Sequence, residues 1–237
     1  MIEFPQRPDP TEMAGRETVG ATVYQRLRSD IIMGRLRPGQ RLRLDQMKED
    51  YAAGASTLRE ALSRLAADGF VLAEGQRGFE VSPISAEGLH EIAALRLLIE
   101  EHALALSFAQ GTLDWEAQVI AAHHRLDSHE LRLEAGDASD ITEWRKSDWQ
   151  FHQALIAACG SRVLMQTHAE VFDKYLRYQM IALAFRPAAS RPEHLALKEA
   201  ALARDVPAAV ALLRRHLQGG VDQALSRGVF GAPQEHI

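Results

Sequence analysis

Asp148 and His152 close the run Asp148-Trp149-Gln150-Phe151-His152, four residues apart, so on a helix both project from one face, one turn above the other. Trp144, Phe151, Leu155 and Cys159 share that face at helical spacing and make it an apolar stripe. A carboxylate and an imidazole there are aimed at the interior, where charge is costly unless it is paired or bound to a metal. His194, in line with Leu197 and Ala201, and His216, in line with Leu212, Leu213 and Gly220, are inward candidates by the same spacing. One carboxylate and three imidazoles match the ligand preferences of Zn²⁺, Ni²⁺, Mn²⁺ or Fe²⁺, and facing helices of a bundle are a usual place to assemble them. Against this stands a plainer reading. The chain has 10 histidines, and a lone His on an apolar face is commonly a hydrogen-bonded core residue. His123 with Asp127 repeats the spacing, and His168 aligns with Leu164 and Val171, so spacing alone generates decoys.

Arg96 is the second residue with chemistry to offer. It lies on the line Ile92, Arg96, Ile99, Ala103, an arginine facing an apolar stripe. Either it pairs with Glu100 along the helix, or its paired donors form a fork for a ligand carboxylate.

The elements that must position these residues follow from periodicity and breakers. Residues 1–19 hold Pro5, Pro8, Pro10 and Gly15 and read as a flexible tail. Val23, Leu27 and Ile31 then mark a helix that stops at Gly34, and Pro38-Gly39 marks a turn. A short helix from about Asp45 to Tyr51 follows, with Gly54 suited to a sharp turn. Ser56 is an N-cap candidate for a third helix carrying Leu58, Leu62 and Leu65, and residues 70–81 read as a hairpin with a glycine-flanked tip. This order is that of a winged helix-turn-helix. From Ser85 onward only helices are expected, to about Gln110, then Leu113 to Glu134, Asp140 to Cys159, Ser161 to Phe185, Pro192 to Arg204 and Pro207 to Arg227. The fold expected is mainly α, with a winged head over 20–82 and an antiparallel six-helix bundle over 83–230.

Bulk properties bound the class. In 237 residues, 46% hydrophobic and 25% charged, a sizeable core is expected. No apolar run approaches the roughly 20 residues that span a bilayer, no signal-peptide pattern opens the chain, and the single cysteine, Cys159, forbids an internal disulfide, so a cytoplasmic protein without a membrane partner is expected. Net charge is -5, yet Arg26, Arg28, Arg35, Arg37, Arg41, Arg43 and Lys48 crowd near the N-terminus, which fits a polyanion-binding head on an acidic body.

Gly34-Arg35-Leu36-Arg37-Pro38-Gly39-Gln40-Arg41-Leu42, Leu58-Arg59-Glu60-Ala61-Leu62, Asp68-Gly69-Phe70-Val71 and Arg77-Gly78-Phe79-Glu80-Val81 closely resemble the DNA-binding domain of GntR-family bacterial regulators. The resemblance implies double-stranded operator DNA as a partner. The start of a recognition helix contacts base edges, so Ser56, Thr57 and Arg59 are the expected contacts there, unless Arg59 is a surface arginine paired with Glu60 or Asp68. Arg77, at the hairpin tip, is expected to meet the minor groove or a phosphate, unless it is an ordinary solvated turn residue. Ala55 stands where the family commonly has an arginine that reaches DNA, and one bidentate base contact is worth about 1–3 kcal/mol of discrimination.

Glu91, Arg96 and Glu100, Asp148-x-x-x-His152, Glu193-His194 and Arg215-His216-Leu217 resemble the C-terminal sensor, or FCD, domain of the FadR branch of that family. In its metal-binding members an Asp and three His at these positions hold a divalent ion. The resemblance therefore implies a metal held by Asp148, His152, His194 and His216, zinc foremost, with a small carboxylic acid effector beside it at Arg96. A homodimeric repressor is the expected form. Two rivals stay open, a metal-dependent hydrolase and a purely structural metal.

Overall fold

The computed structural model describes residues 19–73, 78–137, 139 and 141–230. The chain divides between Pro83 and Ile84 into two units, each with its own core.

In the first unit, helix α1 (Val19–Ile32) buries the four-residue line Val23, Leu27 and Ile31 against helix α3 (Ala55–Ala67). Gly34, with φ of 71°, ends the run by turning left-handed, a conformation that glycine takes without penalty. Strand β1 (Arg41–Leu42) and helix α2 (Leu44–Asp50) follow, and α3 buries Leu58, Ala61, Leu62 and Leu65. Strands β2 (Val71–Ala73) and β3 (Phe79–Val81) pair antiparallel, with Val71 opposite Val81 and Ala73 opposite Phe79. The expected hairpin is one part of a three-stranded sheet of order β1-β3-β2. Two-residue β1 is too short to show alternation, and it is held by Arg41 opposite Glu80 and Leu42 opposite Phe79.

Two local expectations in this unit need correction. The third helix is capped by Gly54, in extended backbone at φ of −70°, not by Ser56, because the Gly54 carbonyl already accepts from Leu58 N–H. Ser56 and Thr57 fall inside its first turn. The sharp turn before it is made by Ala52, at φ of 49°, rather than by Gly54. The expected flexible tail falls, apart from Val19, outside the described residues, and so does Arg77.

Among the described residues the second unit is six helices, α4 (Ala86–Gln110), α5 (Leu113–Glu134), α6 (Ile141–Ile156), α7 (Arg162–Ala182), α8 (Pro187–Leu202) and α9 (Val206–Ser226). Ser85, Thr112, Ser161 and Asp205 cap four of them, each side chain accepting a backbone N–H three residues on. Helix α6 stops three residues short of Cys159. Helix α7 ends at Leu183, left-handed at φ of 48°, not near Pro187. Pro187 instead opens α8, at a position where its missing N–H has no partner to lose, and Pro192 lies inside that helix rather than starting it. Helix α5 packs on α6, α4 on α7 and α9, and α8 on α5 and α9. Among the described residues no helix is long and apolar enough to cross a membrane.

Candidate metal centre and nucleic-acid interface

The polar residues at the centre of the bundle are carried on apolar faces. Asp148 and His152 share the buried face of α6 with Trp144, Phe151 and Leu155. His194 is fully buried on α8 beside Leu197 and Ala201. His216, on α9, lies near Leu213, Leu217 and Gly220. The rings of His194 and His216 are 4.6 Å apart, those of His152 and His216 5.4 Å, and those of His152 and His194 5.8 Å. One nitrogen from each of the three lies within 4.8 Å of the others.

Each ring is anchored at Nδ1 by a glutamate. His152 Nδ1 is 2.9 Å from Glu100, His194 Nδ1 is 2.9 Å from Glu130, and His216 Nδ1 is 2.8 Å from Glu193. A carboxylate at Nδ1 fixes the ring's orientation and leaves the Nε2 lone pair for another partner, the arrangement of metal-bound histidines. The Nε2 atoms of His152 and His194 are buried with no hydrogen bond. That is the observation on which a cation fits. Asp148, 8% exposed, brings Oδ1 to 3.4 Å from His194 Nε2 but is not part of the three-ring cluster.

The electrostatics follow from burial and these anchors. Burial pushes His216 down to about 3, with the neighbouring histidines adding to the effect against the pull of Glu193. Burial also lowers His152. It works the same way on His194, but there Glu130 and Asp148 outweigh it and the net shift is upward. Burial opposes ionisation of Glu193, yet hydrogen bonds from His216 and Arg186 hold its carboxyl near 2. Glu100 is likewise held well below the usual carboxylate range, since Arg96, His152 and His168 outweigh the effect of burial.

Arg96 makes the pair with Glu100 along the helix. Its Nε donates to Glu100 Oε1 at 2.5 Å, and its guanidinium stacks 4.1 Å from the Phe172 ring and 4.8 Å from that of Tyr175. Its Nη2 is buried and without a partner, on the wall of a pocket that Asp148, His194, His216, Arg186 and Trp144 also line. Trp144 Nε1 is a second buried donor without a hydrogen bond.

Sequence reasoning missed Glu130, the anchoring role of Glu100, and Arg186. A signal existed for Glu130, which continues the apolar line Val119, Ala122, Leu126 on α5. None existed for Arg186, which precedes α8 and clamps Glu193 through two bonds of 3.0 and 2.7 Å. Of the decoys, Asp127 pairs with Arg191, His123 packs against Phe151, and His168 sits on Glu100.

In the first unit, Arg59 is exposed on α3 and engages no hydrogen bond or ion pair among the described residues. Asp68, a possible partner for it, is held by the Tyr24 hydroxyl at 2.5 Å. Ser56 is exposed and Thr57 half-buried at the same helix start.

A helix-turn-helix with a small sheet, followed by a helical body around a pocket lined in part by charged residues, is the architecture of a two-domain DNA-binding regulator. Residues 20–81 match the bacterial regulatory proteins of the gntR family and residues 91–219 match the FCD domain; the chain belongs to the GntR family, with a C-terminal FCD domain. It is 36% identical over 223 residues to the HTH-type transcriptional regulator BphR of Paraburkholderia xenovorans (strain LB400), covering 93% of this chain and 91% of that one. To the HTH-type transcriptional repressor GlaR of Escherichia coli (strain K12) it is 37% identical over 203 residues, covering 82% and 90%. Among solved structures, E. coli McbR/YncC has the same fold, with a TM-score of 0.74 at 21% identity over 90% of this chain and 100% of that chain. A GntR transcriptional regulator from Rhodococcus sp. RHA1 follows with 0.70 at 25% identity, over 90% and 99%. The protein is a DNA-binding transcriptional regulator; its families and relatives are regulators, not enzymes, and give the hydrolase reading no support.

Proposed function

We propose that this regulator is a cytoplasmic, homodimeric repressor whose operator affinity is set by a small carboxylate bound beside a divalent metal in the helical unit. The observation that carries the reading is the trio His152, His194 and His216, each anchored at Nδ1 on a glutamate, with one nitrogen from each within 4.8 Å of the others. Neutral imidazoles with a nearby carboxylate suit zinc first, then nickel, manganese or iron. Such an ion supplies Lewis-acid charge that accepts a carboxylate oxygen. His152, His194 and His216 would hold it with Asp148 as the fourth ligand, and Arg96 would offer its free Nη2 to the same effector. Repression is supported by the similarity to GlaR, a repressor by name.

Pairing of two chains is supported by α4, where Leu95 (43% exposed) and Leu98 (66% exposed) face outward. The head would meet operator DNA through Ser56, Thr57 and Arg59, and through Arg77 beyond the described residues. Effector binding switches the protein only if it favours one arrangement of the helices over another.

The test is a thermal-shift screen of small carboxylic acids on zinc-loaded protein, followed by a gel shift with operator DNA. A true effector raises the melting temperature by mass action and changes DNA affinity. Zinc binding with no acid able to change DNA affinity would leave the ion a structural role and end the sensing proposal.

A further inference from the structure

Three donors converge on one buried carboxylate. Arg96 Nε meets Glu100 Oε1 at 2.5 Å, His168 Nε2 lies 2.8 Å from the same oxygen, and His152 Nδ1 lies 2.9 Å from Oε2. All four side chains are at most 2% exposed. The direction of each bond is set by its neighbours. Gln153 Nε2 sits 2.7 Å from His168 Nδ1, so that nitrogen accepts and His168 Nε2 carries the proton toward Glu100. An ionised carboxylate only accepts, so neutral His152 must present Nδ1–H to it, which places the lone pair on the buried, partnerless Nε2. The same carboxylate holds Arg96 by Nε and leaves Nη2 without a partner at the pocket wall.

We infer that Glu100 is the positioning residue of this pocket: one carboxylate sets the tautomer of His152 and the aim of Arg96. The inference rests on the reading of the pocket given above. It makes the metal-facing ring and the anion-facing guanidinium depend on a single side chain. The other two anchors do not combine these roles. Glu130 takes His194 and the Ser190 hydroxyl. Glu193 takes His216 and Arg186, but Arg186 spends both Nη groups on Glu193 and on the His216 carbonyl.

Glu100→Gln separates this role from mere packing, because an amide of the same shape has one acceptor and one NH₂ donor. Turned toward Arg96 and His168, the NH₂ would face two donors. It therefore faces His152, whose Nδ1 must accept, and the ring proton moves to Nε2 and blocks it. With Zn²⁺ alone as the probe on full-length, metal-stripped protein, the variant should bind about 10–100-fold more weakly while keeping its helical circular dichroism. Imidazole nitrogen NMR of the metal-free proteins should show His152 protonated at Nδ1 in the wild type and at Nε2 in Glu100→Gln. Equal zinc affinity in the two proteins overturns the inference. So does a wild-type His152 protonated at Nε2, which needs no variant to fold. A wild type that fails to bind zinc, with tautomers that still follow Glu100, upholds the positioning role and removes the metal-sensing reading instead.

Discussion

His194 Nε2 and Asp148 Oδ1 face one another at 3.4 Å with no hydrogen bond between them, while Nδ1 of the same ring lies 2.9 Å from Glu130. With the Nδ1 proton directed at Glu130, Nε2 is a lone pair turned toward a carboxylate oxygen, an acceptor against an acceptor. A proton or a cation between them relieves that opposition. Glu130 chiefly, with Asp148 adding, shifts His194 upward against burial and so favours the first remedy, and a bound metal would be the second.

The pH dependence of metal binding follows from this contrast. Burial keeps His152 low and His216 at about 3, so neither takes up a second ring proton near neutrality. His194 is shifted the other way, and its proton competes with the ion below its raised pKa. Zinc affinity should be flat above that pKa and fall by about tenfold per pH unit below it, one proton being released per ion. Calorimetric zinc titrations in buffers of different ionisation enthalpy count the protons. Release of two would show that His152 or His216 is also charged.

The three rings converge, one nitrogen from each within 4.8 Å of the others, whereas Asp148 stands outside that trio, its Oδ1 3.4 Å from His194 Nε2. His152→Ala should therefore lower bound metal more than Asp148→Ala does. The loss for His152→Ala should exceed the roughly 10–100-fold typical of losing an orienting partner. Elemental analysis of dialysed protein measures both. Unchanged content in Asp148→Ala alone would remove Asp148 from the ligand set, and unchanged content in both would remove the metal centre.

How much of this was legible in the sequence depends on the kind of constraint. Four-residue spacing placed Asp148 and His152 on one face of α6, and that face is buried. The same spacing offered His123 and His168 as equals, and only tertiary packing sets His123 against Phe151 and His168 on Glu100. Glu100 lay in view as a helical partner of Arg96, but its bond to His152 spans 52 residues and has no local signature. Strand β1 and the start of α8 were missed for a different reason. Two residues show no periodicity, and two prolines five residues apart both suit a first turn.

Arg96→Ala tests a cost that sequence spacing could not reveal. On an exposed helix face its pair with Glu100 would contribute tenths of a kcal/mol; here both side chains are 2% exposed. Removing one partner of a buried pair costs about 3–5 kcal/mol, so Arg96→Ala should melt well below the wild type and lose metal through the displaced Glu100. Arg96→Lys keeps the charge without the fork and should retain more stability while raising the effector concentration needed for a response. A wild-type melting temperature for Arg96→Ala would mean that Glu100 is satisfied without it.

Ala52 carries left-handed backbone at φ of 49° while Gly54, two residues on, is extended. An alanine there is strained by roughly 1–2 kcal/mol, part of which glycine gives back through its greater freedom when unfolded. Ala52→Gly should stabilise the DNA-binding unit by about 1 kcal/mol, read from its denaturation midpoint. Gly54→Ala should be nearly neutral, since nothing lies within 4 Å of a Cβ added there.

Arg59 is the uncommitted cation at the start of α3, exposed and unpaired among the described residues, and Ala55 leaves the first position of that helix without a long donor. Arg59→Ala should weaken operator binding by about 1–3 kcal/mol if it reads a base edge, with preference relaxed at one base pair. If it meets a phosphate, binding should weaken uniformly across sequences and the salt slope should fall by about one. Gel shifts on a panel of single-base operator variants at two salt concentrations separate the two, and an unaffected shift removes Arg59 from the interface. Ala55→Arg should add affinity, because the helix N-terminus then presents a second guanidinium to the same groove. No gain would mean that this head docks with its first turn away from the DNA.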